Sequence, residues 1–187
     1  MRDTDTDTEL VAAYQNGHTQ ALEILYWRHA ERVWRYARYF SGSEETAAEI
    51  VQETFLRVTK YLAGFEGRAQ FSTWLFSIVR SAAVETVAKQ HRAGSQVEET
   101  YMEQIPITAP EPDQELIASE TRAVVRAAIA RLPEHEREAV LLCEIGDLPI
   151  RTAGEILGWG ESRVRVTLFR ARRRLKEMLA AYVGAEN

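Results

Sequence analysis

Apolar residues recur at three- and four-residue spacings along most of this chain, and no stretch alternates apolar with polar as a half-buried strand does. That pattern restricts the fold to packed helices. Segment 19–40 carries Leu22, Leu25, Val33, Ala37 and Phe40 on one helical face. Segment 43–62 carries Ala47, Val51, Phe55, Val58 and Leu62, and segment 72–92 carries Leu75, Ile78, Val79 and Ala82. A shorter helix is expected over 8–16, between a capping Asp7 and a stop at Gly17. Ser41-Gly42-Ser43 separates the second helix from the third. Ser43 caps that third helix, and Glu44 and Glu45 suit the positive end of its dipole. Gly64 and Gly67 bracket a loop before the fourth helix.

The pattern lapses after residue 92. Between Ala93 and Gln114 lie three of the five prolines (Pro106, Pro110, Pro112) and several acids, the composition of a partly extended linker. Helical spacing resumes at about Glu115, runs to Arg131, restarts at Leu132-Pro133 and ends near Gly146. The expected architecture is therefore all-α: a short acidic, disordered tail (1–7), a helical domain (8–92), a flexible linker (93–113) and a second small helical domain (114–184). No apolar run approaches the ~20 residues that span a bilayer. The Asp/Thr alternation of the first eight residues is not that of a signal peptide, so a cytoplasmic protein without membrane insertion is expected. Cys143, in the run Ala139-Val140-Leu141-Leu142-Cys143, reads as a buried structural thiol.

Charge is segregated. The net charge is −5, yet residues 150–187 hold eight Lys or Arg against four acids. That segment is +4 and the remainder −9. A local basic footprint beside acidic surfaces fits DNA binding by one end of the molecule.

The basic segment has the layout of a helix-turn-helix. Ile150 to Leu157 forms a short helix, and Gly158-Trp159-Gly160 supplies the turn. Gly154 leaves room where elements cross. In the following helix Val164, Leu168, Ala171, Leu175 and Leu179 share a core-facing stripe. Ser162, Val166, Phe169, Arg170 and Arg173 fall on the other side, flanked by Arg163, Arg165 and Arg172. Such a helix enters the major groove, where arginines grip guanine or phosphate and apolar side chains touch thymine methyls. Seven basic residues lie between Arg163 and Lys176 with no acid among them. Arg151, at the start of the preceding helix, joins this set.

The first domain carries two further features. One face of the third helix presents Glu49, Gln52, Glu53 and Arg57. After it, Phe65-Glu66-Gly67-Arg68-Ala69-Gln70-Phe71-Ser72-Thr73-Trp74-Leu75 gathers aromatics and an arginine around a loop, followed by Arg80, Lys89 and Arg92. Aromatic rings beside basic groups stack unpaired bases. Packing of Phe71 and Trp74 into the core explains the same spacing equally well.

Together these strings resemble the bacterial sigma factors of the sigma-70 family, specifically the compact extracytoplasmic-function (ECF) class, over nearly the whole chain. Ala48-Glu49-Ile50-Val51-Gln52-Glu53-Thr54-Phe55-Leu56-Arg57 resembles the polymerase-binding helix of region two, and Phe71-Ser72-Thr73-Trp74-Leu75 with Arg80 its promoter-melting segment. Leu132-Pro133 through Leu141 resembles the opening of region four, and Val164 through Leu175 its recognition helix. Glu49, Ser81 and Gly154 depart from the residues usual there (Asp, Asn and Ala).

The resemblance implies a non-enzymatic factor, without cofactor or metal, that joins core RNA polymerase and directs it to promoter DNA. Glu49, Gln52, Glu53, Phe55 and Arg57 would dock on the polymerase clamp helices, and the second domain on the flap. Arg151, Ser162, Arg163, Arg165, Val166, Phe169, Arg170 and Arg173 would read the minus-thirty-five element. Phe65, Arg68, Phe71, Thr73, Trp74, Arg80, Ser81 and Lys89 would capture the melted minus-ten element. An anti-sigma protein is implied as a regulatory partner. Opening a base-pair step costs ~1.4 kcal/mol on average, and stacking on an aromatic side chain returns ~1–3 kcal/mol per base. About 22 linker residues reach at most ~70 Å at ~3.3 Å each, so the two readers can stand apart. A free-standing regulator binding operators is the alternative, but it leaves the features around Gln52 and Phe71 without a role. The four histidines show no metal-ligand spacing, and no phosphate loop or nucleophile motif is present, which disfavours an enzyme.

Overall fold

Helix boundaries in this computed structural model follow capping chemistry closely. It describes residues 5–94 and 113–183, with every regular element among them helical. Helix α1 (Asp7–Gln15) starts one residue earlier than expected because Thr6, not Asp7, is its cap. Thr6 Oγ1 accepts from the Glu9 N–H at 3.3 Å, and the Glu9 carboxylate accepts from the Thr6 N–H at 2.7 Å, a reciprocal capping box. Asp7, assigned to the tail by its sequence, is instead tied down by Arg28 (2.7 Å) and the buried His29 (2.8 Å). Burial opposes its charge, but the hydrogen bonds from His29 and Arg28 outweigh that and hold the carboxyl below its ordinary range.

Helices α2 (Gln20–Ser41) and α3 (Glu44–Tyr61) are separated by Gly42 at φ 73°, the left-handed stop that the Ser-Gly-Ser run announced. A short 3-10 turn, Leu62–Gly64, leads to the loop before α4 (Phe71–Gly94). In α3 the buried stripe is Ala47, Ile50, Thr54 and Val58. Val51 and Phe55, expected inside, are half-buried at its edge. The expected linker falls outside the described residues except at its ends, which belong to α4 and to α5 (Asp113–Ala130).

The second region comprises α5, α6 (Glu134–Val140) continuing as a π-helical turn (Leu141–Ile145), α7 (Ile150–Leu157) and α8 (Glu161–Val183). Cys143 is half-buried rather than buried; desolvation pushes its thiol up to about 11, so it stays protonated.

One continuous apolar core runs through both regions. It joins Leu25, Tyr36, Ile50, Leu75, Phe76 and Val79 of the first to Leu132, Val140, Leu141, Leu142, Val164 and Leu168 of the second. The joint centres on the π-helical turn. Arg32 of α2 donates from Nε and Nη2 to the Gly146 carbonyl at 3.0 and 2.7 Å, and from Nη2 to the Asp147 carbonyl at 3.1 Å. A Cβ on Gly146 would lie 2.9 Å from Phe76 Cε1 and 2.9 Å from the Leu142 carbonyl oxygen. Only glycine lets the turn seat against α4.

Candidate nucleic-acid interface

Helix α8 owes its position to the turn before it. Gly158 adopts φ 67°, and the Trp159 N–H donates to the Gly154 carbonyl at 2.8 Å. A Cβ on Gly154 would stand 2.7 Å from the Trp159 carbonyl oxygen, so glycine is needed by the turn more than by the crossing of α7 and α8. Val164, Leu168 and Ala171 are then buried, as their spacing predicts, with Thr167 beside them. The opposite face leaves Val166 49% and Phe169 69% exposed, an arrangement without stabilising value in water.

The basic run is less unopposed than the linear sequence suggests. Folding brings acids to it from other elements: Glu144 to Arg172, and Glu136 to Arg174 at 3.1 Å. Within α8, Glu161 pairs with Arg165 at 2.8 Å and Glu177 lies 3.8 Å from Arg173. Arg151 pairs with Glu155 at 3.2 Å. The exposed pairs of Arg151, Arg165 and Arg173 contribute little and exchange readily for phosphate. The pairs of Arg172 and Arg174 with Glu144 and Glu136 hold those two arginines toward α6 and its π-helical turn. Arg163 lies over the Trp159 ring at 4.2 Å, and Arg170 has no ion pair among the described residues.

In the first region the aromatic loop forms a small cluster. Phe65 lies 4.9 Å from Trp74 and 6.4 Å from Phe71, and Phe71 lies 5.8 Å from Trp74 and 5.3 Å from His29. Gln15 Nε2 donates to the Phe65 carbonyl at 2.7 Å, pinning the loop to α1. Phe71 and Thr73 are buried, which corrects their assignment as contact residues: they seat the loop instead. Phe65 and Trp74 are half-buried with an accessible side, and Arg68 is exposed beside Glu66.

Helix α3 exposes Glu49 and Gln52, while Phe55 packs on Tyr26 at 4.5 Å. Arg57 donates to Glu53 at 2.6 Å and to both carboxylate oxygens of Glu85 on α4, at 2.6 and 3.1 Å. Ser81 donates to Glu85 at 2.7 Å and lies 3.4 Å from Arg57 Nη1. The Arg57 guanidinium, followed by the Ser81 hydroxyl, lowers the Glu85 carboxyl to about 2. Two residues expected at different surfaces, Arg57 and Ser81, thus share one network.

Comparison with known proteins decides the family. Residues 25–93 match Sigma-70 region 2, and residues 122–175 match Sigma-70, region 4. The chain is 31% identical to the ECF RNA polymerase sigma factor SigM of Mycobacterium tuberculosis, over 93% of this chain and 85% of that one. The chain belongs to the ECF sigma factors. It is also 31% identical to SigE of Mycolicibacterium smegmatis over 83% of its own length, but it spans only 60% of that relative. Among solved structures, CnrH in complex with the cytosolic domain of CnrY matches with a TM-score of 0.72 at 22% identity, covering 95% of this chain and 99% of that one. RpoE from Bartonella quintana, in complex with the anti-sigma factor NepR, matches at 0.68 and 22%, over 84% and 96%. Sigma factors of this family are not enzymes; they direct transcription initiation through regions 2 and 4, and this chain carries both.

For a sigma factor, the positions that spacing alone missed are as informative as those it found. Trp27 is 70% exposed with its ring edge-on to Tyr26, and Leu56, one helical turn beyond Gln52 on α3, is 58% exposed. Trp27 lies off the stripe of Leu25, His29 and Val33, and that phase was the available signal. Glu138 was missed as well. It accepts from Arg80 Nε at 2.9 Å across the joint, so the region 2 arginine expected at melted DNA is held by region 4. Lys89 is exposed on α4.

Proposed function

We propose that region 4 reads the minus-thirty-five element as duplex through the exposed face of α8, while region 2 holds the melted minus-ten element at the loop 65–70. Core polymerase docks on α3. The carrying observation is the apolar pair Val166 and Phe169, exposed between Arg163, Arg170 and Arg173 on a helix whose other face is core. Exposed apolar side chains ringed by arginines fit thymine methyls between phosphates. Ser162, Arg151 and Arg165 flank that face, and the two arginines exchange their carboxylate partners for phosphate on binding. At the loop, the open sides of Phe65 and Trp74 stack a displaced base, Arg68 and Lys89 neutralise its strand, and Arg80 with Ser81 continues the track along α4. Polymerase contacts fall on Glu49, Gln52, Glu53 and Arg57, with Phe55 supporting them from below.

We also infer an anti-sigma partner. RpoE, which shares this fold, was captured with the anti-sigma factor NepR, and CnrH with the cytosolic domain of CnrY. A cleft between the two regions, lined by Phe40, Val84 and Val87 and bordered by Arg38, Arg126 and Arg137, suits an amphipathic acidic helix. Recovery of polymerase with no such protein from the native cell counts against this partner. The functional reading is tested by run-off transcription. Core polymerase with this protein is expected to start specific transcripts from a pool of genomic promoters. Failure on every promoter sinks the reading.

A further inference from the structure

The minus-thirty-five reader extends beyond α8. Two open clefts flank His135 at the start of α6. One, of about 510 Å³, is lined by His135, Ser162, Arg163, Val166, Thr167 and Arg170. The other, of about 460 Å³, continues past His135 to Phe169, Arg173 and Arg174. His135 and Arg170 line both. The imidazole therefore stands beside the exposed face of the recognition helix although it is some thirty residues away in sequence.

Its placement is rigid and its surroundings are positive. Leu132, Glu136 and Ala139 are buried and fix the first turns of α6. The Glu136 carboxylate takes Arg174 Nε at 3.1 and 3.2 Å, fastening α6 to α8. Among the described residues, Glu136 is also the sole carboxylate lining either cleft. Its Oε1 lies 4.0 Å from His135 Nε2, and its charge is already matched by Arg174. Glu134 faces the opposite cleft, between the two regions. The His135 side chain is 52% exposed. A half-exposed N–H donor, held beside two unshielded arginines and a serine hydroxyl, is a seat for an anion.

We propose that His135 is a DNA-contacting residue that, together with Arg170, clamps one backbone phosphate at the edge of the minus-thirty-five duplex. Either tautomer of the imidazole offers an N–H to a phosphate oxygen. Contacts of this type set the register of a recognition helix without reading sequence. The inference rests on α8 being the minus-thirty-five helix.

The test uses the full-length protein assembled with core polymerase on a promoter fragment. His135→Glu is expected to weaken promoter binding about tenfold, through repulsion of the phosphate. His135→Lys is expected to tighten it at low salt and to steepen the slope of log affinity against log salt by ~0.9, the effect of one more neutralised phosphate. Both changes should be the same for all variants of the minus-thirty-five sequence. Thermal unfolding of each variant should match the parent, because the side chain is half in solvent. Binding within twofold of the parent for both substitutions overturns the proposal. So does a changed ranking of minus-thirty-five sequences, which would mean a base contact. A parental holoenzyme that starts no transcript breaks the sigma reading itself and the inference with it.

Discussion

The two surfaces proposed to meet DNA are in different states. On α8 the groups that would meet DNA are open: Val166 and Phe169 face solvent, Arg170 lacks an acidic partner among the described residues, and the neighbouring pairs are exposed ones. In region 2 the corresponding groups are engaged within the protein. Arg80 is held by Glu138, Ser81 by Glu85, and the aromatic rings by one another. Binding a duplex needs little reorganisation, because the major groove accepts a preformed helix. Holding an unpaired strand requires contacts that appear only once the strand exists. If Arg80 contacts DNA as proposed, its bond to Glu138 must first open.

The largest expected effect separates two phenylalanines. Phe71→Ala removes a buried ring of the loop cluster and should cost about 3–5 kcal/mol of stability, read in denaturant unfolding. Phe169→Ala should leave stability within about 0.5 kcal/mol while lowering discrimination among minus-thirty-five sequences. If the two variants unfold alike, the contrast between an engaged and an open reader is lost.

Next in size is the joint. Glu138→Gln weakens a charge-assisted bond of about 1.5–3 kcal/mol. It should widen the distance between probes on α4 and α8 and raise affinity for a single-stranded minus-ten oligonucleotide. An unchanged inter-probe distance argues against Arg80–Glu138 as a clasp.

On the open side, Arg170→Ala should cost about 1–3 kcal/mol of promoter binding, as expected for one lost arginine contact, with no change in the distance across the joint. A change in that distance would couple the two readers where the contacts keep them separate.

The smallest effect concerns the anchoring of α1. Because Asp7 is held below its ordinary range of 3.8, its bonds to His29 and Arg28 contribute stability above that value, lost as pH falls through the lower folded-state pKa. A modest fall in unfolding midpoint below about pH 4 is expected in the parent and should be smaller in Asp7→Asn, where the part due to Glu85 remains.

Helix placement was legible because it depends on neighbours in sequence. Gly42 and Gly158 end helices where only a left-handed residue fits, and the stripe of Val164, Leu168 and Ala171 repeats within one helix. Candidate sites were less legible. Phe71 and Phe65 share one short aromatic string, yet one is core and the other half open, a difference set by His29 and Gln15 of distant helices. The segregation of charge, +4 over residues 150–187 against −9 elsewhere, also misled in detail, since Glu136 and Glu144 reach the basic run only after folding.

By itself the sequence determined that this protein is all-helical, that its last helices form a turn-linked pair with a basic face, and that its strings are those of regions 2 and 4. Each rests on local spacing and charge, which folding does not alter. The tertiary structure alone decided which arginines keep acidic partners, that Glu138 occupies Arg80, and that His135 stands beside Arg170. Those are meetings of side chains far apart in sequence, fixed by the Gly146–Phe76 joint and by the packing of α6 on α8.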